Sequence, residues 1–153
     1  MLRPGATWIP DGIRGLADEA TASGVRNRSV LIERWLAGSE RYDRLGDALR
    51  VALDAGEKVV GVGGLAHCPD VPGALRVRRF YVAVAWRRLG VGRLLATELI
   101  DEGFRHSDRL TCNARATPAA PQFWERMGFR PVDGVGISHV RVPSIGTPRR
   151  AAV

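Results

Sequence analysis

The sequence predicts a mixed α/β domain built around a single sheet. The chain has 153 residues, the size of one domain, and its 45% hydrophobic and 25% charged residues are ordinary globular usage. Helical and strand-like apolar patterns alternate in the order helix, helix, strands, helix, strand, helix, strand. No repeat or interior linker divides the chain. We therefore expect one domain over 1–143 and a flexible tail over 144–153, where Gly146 and Pro148 leave little to bury.

The N-terminal third predicts two helices. Ile13, Leu16, Ala17 and Ala20 follow helical spacing, and Gly24 is a suitable stop. A second helix is expected over 30–38.

Two strands joined by a tight turn follow, at 48–53 and 58–66. The second contains Gly61-Val62-Gly63-Gly64-Leu65-Ala66, which formally matches the dinucleotide-binding pattern G-x-G-x-x-A. That pattern needs a helix directly afterwards, and Pro69 and Pro72 exclude one. We therefore expect these glycines to lie in a strand beside a close neighbour.

The third strand, predicted over 75–85, has a slip in its alternation. Val77 is followed by Phe80, and then by Val82 and Val84. A three-residue step inside a two-residue period is what a β-bulge produces, so a bulge is predicted between Val77 and Phe80.

The C-terminal half predicts two helices and two strands. An amphipathic helix begins near Gly90 and places Val91, Leu94, Leu95 and Leu99 close to one face. The elements expected after it are a strand over 109–113, a short helix from Thr117 or Ala120 to Gly128, and a last strand over 135–142.

The turn Arg87-Arg88-Leu89-Gly90-Val91-Gly92 carries the clearest functional signal. The helix that it opens has no Ser, Thr, Asp or Asn to cap its first backbone N–H groups. An anion can take that role, because these amides and the helix dipole favour negative charge. Arg93 adds further positive charge. The turn is predicted to bind a polyphosphate; a tight turn with solvated arginines is the alternative.

Two motifs resemble those of the GNAT superfamily of N-acetyltransferases. Arg87-x-x-Gly90-x-Gly92, after the strand end Phe80 to Trp86, is similar to the signature (Q/R)-x-x-G-x-(G/A) that follows a YV-x-P strand end. Ala120 to Phe129 is similar to A-x-x-F-Y-x-x-x-G-F. The resemblance covers about residues 10–142. It implies a single GNAT-like domain with a central, mostly antiparallel mixed sheet, splayed at the cofactor strand, with helices on both faces.

The resemblance also implies acetyl-CoA as cosubstrate and direct acetyl transfer to an amine of a small molecule or peptide. The segment 24–42 would form part of the acceptor wall. The backbone amide of Val82 would stabilise the thioester oxyanion. The residues implied in cofactor binding are Phe80, Tyr81, Val82, Arg87, Arg88, Leu89, Gly90, Val91, Gly92, Arg93 and Trp124.

This chain departs from the family at both usual proton handlers. Trp124 stands where many members carry a tyrosine acid, and Arg76 where many carry a glutamate base; an indole N–H is not a useful acid. His67 and His139 are candidate replacements, each with a structural alternative. Tyr81 is expected to pack, and Cys112 to be a buried structural thiol. The alternative function is a catalytically degenerate sensor or scaffold that binds acyl-CoA.

Charge and composition restrict the partners further. The net charge of +7 suggests a polyanion, but abundant Arg, Ala, Gly and Val also fit a GC-rich coding sequence. The arginines are scattered, so nucleic acid is not expected as a partner. We expect no membrane span, because no apolar run is long enough. We expect no metal site, because His67, His106 and His139 lack ligand spacing. A cytoplasmic protein is therefore the expectation. A homodimer is allowed, since many such folds dimerise.

Overall fold

A computed structural model describes residues 2–4, 12–22, 34, 42–115 and 117–144. Its strands are β1 (Leu2–Pro4), β2 (Ala48–Leu53), β3 (Val59–His67), β4 (Leu75–Val82), β5 (Leu110–Cys112), β6 (Arg130–Pro131) and β7 (His139–Arg141). Its α-helices are α1 (Gly12–Ala22), α2 (Val91–His106) and α3 (Ala120–Arg126). The predicted helix over 30–38 lies outside the described residues except for position 34, and the tail lies outside them beyond 144.

The strands form one mixed sheet in the order β1-β2-β3-β4-β5-β7-β6. Neighbours are antiparallel except β4 and β5, which are parallel. On one face α1 packs its apolar side chains against Val62 and Tyr81. On the other face Leu99 of α2 and Trp124 of α3 pack against Leu65 and the apolar side of β4. The predicted fold class, with helices on both faces, is confirmed. Among the described helices, none is long and apolar enough to cross a membrane.

The sheet opens between its two parallel strands. β4 and β5 pair only from Leu75–Leu110 to Val77–Cys112. Beyond Val77, β4 continues to Val82 while β5 ends at Cys112, so the strands separate. This gap is the splay predicted for the cofactor strand.

The predicted β-bulge lies next to this gap. The register of β4 against β3 shifts between the pairs Gly64–Arg78 and Val62–Tyr81, which leaves an extra residue in β4. Arg79 has φ +56°, a left-handed conformation that a non-glycine residue adopts only at some cost in energy. Because of the extra residue, Val77 and Phe80 pack in the same cluster with α2, and Tyr81 turns towards α1.

The glycines of β3 let neighbouring elements approach the sheet closely. A Cβ at Gly61 would lie 2.8 Å from Leu95 Cδ1, and one at Gly63 would lie 2.7 Å from Leu99 Cδ1. These distances are shorter than van der Waals contact, so α2 could not pack as it does over larger residues. The segment therefore lies in a strand, as predicted, and it is not followed by the helix that dinucleotide binding requires.

Several element boundaries differ from the sequence prediction. β4 ends at Val82 rather than 85, because Ala83 makes the last bond to β3 and Val84–Trp86 turns into a 3-10 helix. The last strand is confined to His139–Arg141, since the preceding residues form a turn closed by the bond from Val132 N–H to Ser138 O. β1 and β6 were not predicted; each is too short, and contains a proline, to show strand periodicity.

A carboxylate ties α2 to β2 at the far end of the helix. Glu102 pairs with Arg105 and His106 on its own helix and lies 3.9 Å from Arg50 of β2. Partial burial by itself raises the pKa of Glu102, but hydrogen bonds from Arg105 and His106 and the charges of Arg105 and Arg50 outweigh it and hold this pKa below 4.5.

We expect Glu102→Gln to lower the free energy of unfolding near neutral pH by about 1 kcal/mol or less, the range of partly exposed ion pairs. Because folding lowers the pKa of Glu102, its contribution is present above the pKa of the unfolded chain and is lost as pH falls through the folded pKa. Urea unfolding of the wild-type chain and of the variant, at neutral and at acidic pH, measures the difference in free energy of unfolding. An equal difference at both pH values would contradict this account.

Gly63→Ala should lower the free energy of unfolding by about 1–3 kcal/mol, because the new methyl group overlaps Leu99 and Phe80 in the core. Gly15→Ala is the matched control: a Cβ at Gly15, in α1, would meet nothing within 4 Å, so this change should be neutral or stabilising. Thermal unfolding measures both variants, and equal effects would refute the proposed close approach.

Candidate functional site

The turn between β4 and α2 leaves the start of α2 without a side-chain cap. Gly90 is the N-cap residue, with φ +87°, and no side chain of the described residues caps the first amides of the helix. The first bond of the helix runs from Leu94 N–H to Gly90 O. The N–H groups of Val91, Gly92 and Arg93 therefore have no acceptor within the helix. This is the geometry in which a helix N-terminus binds an anion.

The side chains of the turn are arranged around this helix end. Arg88, Leu89 and Arg93 are exposed, and Arg88 has φ +62°. Left-handed backbone at both Arg88 and Gly90 makes the turn tight. The two exposed guanidinium groups give the helix end a positive surface.

Arg87, which is predicted to bind the cofactor, also contacts the end of β4. Its Nε donates to Val82 O at 3.1 Å, and its guanidinium lies over the Tyr81 ring, 5.2 Å from the ring centroid. Arg87 thus braces the end of β4. Its charge lies beside that strand end as well as near the turn.

The backbone of Val82 faces the gap between β4 and β5. Ala83 N–H bonds to Val60 O, so by the antiparallel alternation the next pair, Gly61–Val82, is a pair that does not exchange hydrogen bonds. The N–H and C=O of Val82 therefore point away from β3. The bond from Arg87 to Val82 O agrees with that direction. An oxygen placed in the gap could accept a bond from Val82 N–H.

Aromatic rings form the wall of the gap on the side of α3. Trp124 is 5% exposed and lies edge-on to Phe80, Phe123 and Phe129, with ring centroids 4.9–5.3 Å apart. A Cβ at Gly92 would contact Phe123 at 3.5 Å and Val82 at 3.6 Å. Gly92 therefore keeps a groove open between the end of β4 and α3. Trp124 packs within this aromatic cluster.

The two candidate histidines lie in different parts of the fold. His67 is the last residue of β3 and pairs with Leu75, so the length of β4 separates it from Val82. Its Nε2 lies 3.1 Å from Leu45 O. Seven residues of strand span roughly 23 Å, and we therefore leave His67 out of the proposed chemistry.

His139 is buried next to the end of β5, where it pairs with Cys112. Its Nδ1 lies 2.7 Å from Ser138 Oγ, and its Nε2 lies 3.4 Å from Glu125 Oε1. Ser138 Oγ also accepts a bond from Ala114 N–H. These side chains form a polar chain from the end of β5 to the exposed Glu125.

Cys112 and Tyr81 are both buried in the core of the fold. Burial raises the pKa of the Cys112 thiol to about 12, although the charge of Arg76 opposes the shift. The Tyr81 hydroxyl donates to Glu19 Oε2 at 2.7 Å, and Glu19 also accepts a bond from Val84 N–H at 3.3 Å. Glu19 therefore anchors α1 to the end of β4, a role that its position in a helical pattern did not reveal.

The fold and the site define a class of protein, one with an uncapped helix N-terminus beside a splayed parallel strand pair. The chain belongs to the GNAT acetyltransferases: the model of the family described as "Acetyltransferase (GNAT) domain" matches residues 17–139. This fold supports acyl transfer from acyl-CoA. A comparison with curated proteins gave no significant match.

Solved structures share the fold at low sequence identity. An acetyltransferase from Exiguobacterium sp. 255-15 superposes with a TM-score of 0.84 at 22% identity, covering 93% of this chain and 92% of that one. A ribosomal-protein-alanine N-acetyltransferase from Brucella melitensis gives 0.66 at 21%, covering 94% and 99%. A GNAT family N-acetyltransferase from Escherichia coli in complex with CoA gives 0.64 at 16%, covering 93% and 80%.

Gly92→Leu should weaken the binding of CoA at least tenfold, about 1.4 kcal/mol, because its side chain would fill the groove against Val82 and Phe123. Gly15→Leu makes the same change where a Cβ meets nothing within 4 Å, and it should leave affinity unaltered. Calorimetric titration with CoA measures affinity, and thermal unfolding confirms that both variants fold. Unchanged affinity in folded Gly92→Leu would exclude the groove as the binding site.

Proposed function

We propose that this protein is an acetyl-CoA-dependent N-acetyltransferase that transfers the acetyl group directly to an amine of a small molecule or peptide. One observation carries the proposal. The uncapped start of α2 and the Val82 N–H that faces the gap lie at the two ends of one short connection, Ala83 to Gly90. A phosphate-bearing thioester could therefore be held at both its anionic end and its reacting carbonyl.

The site divides the binding of acetyl-CoA into three parts. The pyrophosphate accepts bonds from the amides of Val91, Gly92 and Arg93, with Arg88 and Arg93 adding charge. The pantetheine arm runs along the open side of Phe80 to Val82 and the groove at Gly92. The thioester oxygen accepts a bond from Val82 N–H, which becomes stronger as the oxyanion forms.

Transfer is direct in this proposal because Cys112, the described cysteine of β5, is not suited to covalent catalysis. A thiolate is the nucleophilic form of cysteine, and Cys112 holds its proton with a pKa of about 12. The amine therefore attacks the thioester itself, and positioning supplies much of the rate.

The ammonium proton leaves the acceptor before attack, and the coenzyme thiolate takes one up afterwards. His139 is the histidine that we retain for proton transfer, because its chain of contacts through Ser138 begins at Ala114, in the segment that follows β5. Water carries out the remaining proton transfers.

A catalytically degenerate acyl-CoA sensor or scaffold is the second candidate. It is favoured by the enclosed Trp124, whose ring packs on Phe80 and Phe129, and by Arg76 in place of a carboxylate base. Both candidates share the cofactor site, and only turnover separates them.

Purified protein with acetyl-CoA and a library of primary amines should release free CoA thiol, with matching N-acetylated products by mass spectrometry. Turnover should exceed the background hydrolysis of acetyl-CoA for at least one amine, and Gly92→Leu should remove it. Binding of acetyl-CoA without thiol release from any amine would favour the sensor and reject the enzyme.

A further inference from the structure

A strip of polar side chains lies on the sheet face opposite α2, where β4 and β5 separate. Arg76 and Thr111 are partners in the parallel ladder, so their side chains are neighbours on one face. Arg78 is the next residue of β4 on this face, since it pairs with Gly64, whose Cβ would meet Tyr42. Asn113 continues the same face after β5. The strip therefore begins over the paired part of β4 and β5 and leads to the gap, on the side away from α2 and α3.

Arg76 is held in this strip without a hydrogen bond to any described residue. Its side chain is 22% exposed, and its ion pair to Asp70 Oδ2 is 4.0 Å long, beyond hydrogen-bond distance. Its Nε is enclosed and has no partner among the described residues. By contrast, Arg141 donates to Met127 O at 2.8 Å, and Arg87 donates to Val82 O. Asp70 orients the Arg76 guanidinium without using its donors.

Two neighbours of Arg76 also have unused polar atoms. Thr111 Oγ1 and Asn113 Oδ1 are buried and have no hydrogen-bond partner within the described part of the chain. Native proteins rarely leave such groups unpaired, because each one costs about 1–3 kcal/mol. Arg76 Nε–H and the Thr111 hydroxyl are donors on ladder partners, so a ligand that accepts hydrogen bonds could complete both. Asn113 Oδ1 is an acceptor and would need a donor, such as an N–H group of the same ligand.

We propose that Arg76 binds a carboxylate of the acyl acceptor, with the Thr111 hydroxyl as a further donor beside it, so that the substrate is an amine that also carries a carboxylate. The planar guanidinium matches a carboxylate with two parallel N–H donors. Arg78 adds a second positive charge on the same face. This inference rests on the proposed function, because it assigns the acceptor half of the same cleft.

The length of the strand restricts the acceptor. Arg76 and Val82 are six residues apart, at most about 20 Å of strand, and the bulge and the reach of the arginine side chain shorten that span. A single α-amino acid has its amine and its carboxylate on one carbon and would bridge only a small part of that span, whereas a short peptide can bridge more of it. The favoured acceptor is therefore a short peptide, with its amine at the gap and its carboxylate at Arg76.

The test compares peptides of one to four glycine or alanine residues, each as the free acid and as the C-terminal amide. Thiol release gives kcat/KM for each pair. The kcat/KM of each acid should exceed that of its amide by about 10- to 100-fold, as expected for a charge-assisted bond. This ratio should be larger for peptides of two or more residues than for the single amino acid. Arg76→Gln should bring the ratio close to one, whereas Arg130→Gln, which removes an exposed arginine of β6, should leave it unchanged. Ratios near one in the wild-type chain would overturn the proposal.

A binding measurement separates this inference from the proposed function. The Arg76 Nε–H signal in the NMR spectrum, assigned by its loss in Arg76→Lys, should shift on addition of succinate to the CoA-bound protein and stay fixed with succinamide. No turnover together with this shift would reject the transferase and retain the carboxylate site. Turnover without a shift, and without a preference for the acid, would retain the transferase and reject the carboxylate site. Because both titrations use the wild-type chain, a folding defect in Arg76→Gln does not affect them.

Discussion

The loss of pairing between β4 and β5 after Val77–Cys112 is the constraint on which the rest of the site depends. A strand inside a sheet normally bonds its backbone on both sides, which leaves nothing for a ligand. Here the extra residue at the bulge and the early end of β5 free one side of β4. The backbone of Phe80 to Val82 then becomes the surface on which a ligand can add, in the manner of a further strand.

Keeping this gap open requires support from both faces of the sheet. On one face, Phe80 and Trp124 fill the space between β4 and α3 with aromatic rings. On the other face, Glu19 bonds the Tyr81 hydroxyl and the Val84 N–H. Arg87 closes the end by bonding Val82 O. The bulge is what allows this division, because it sends Phe80 towards α2 and Tyr81 towards α1.

Much of this arrangement could be predicted from the sequence, because it depends on local patterns. The slip from Val77 to Phe80 marked the bulge, and the missing cap before Val91 marked the uncapped helix start. The glycines of β3 were placed in a strand because Pro69 and Pro72 exclude a helix. Contacts between distant segments were not predictable in this way. Glu19 and Tyr81 are 62 positions apart, and the fold-back of Arg87 depends on where β4 ends. β1 and β6 form by pairing with neighbouring strands, and their own short sequences show no strand pattern.

Arg76 stands where the resemblance to the family places a carboxylate base, and its charge has a physical consequence for the cleft. A glutamate in this part of the cleft could accept a proton relayed by water from the incoming ammonium, whereas a guanidinium cannot accept one. Arg76 therefore offers no help to a simple amine, but it can pair with a negative charge that the substrate brings. Asp70, at 4.0 Å, is too distant to cancel the charge of Arg76 by a hydrogen-bonded pair. An acceptor with a carboxylate would use this charge, since its anion could pair with Arg76 while its amine, further along β4, reaches the thioester. The same residue that weakens the acid–base chemistry thus strengthens selection of the substrate.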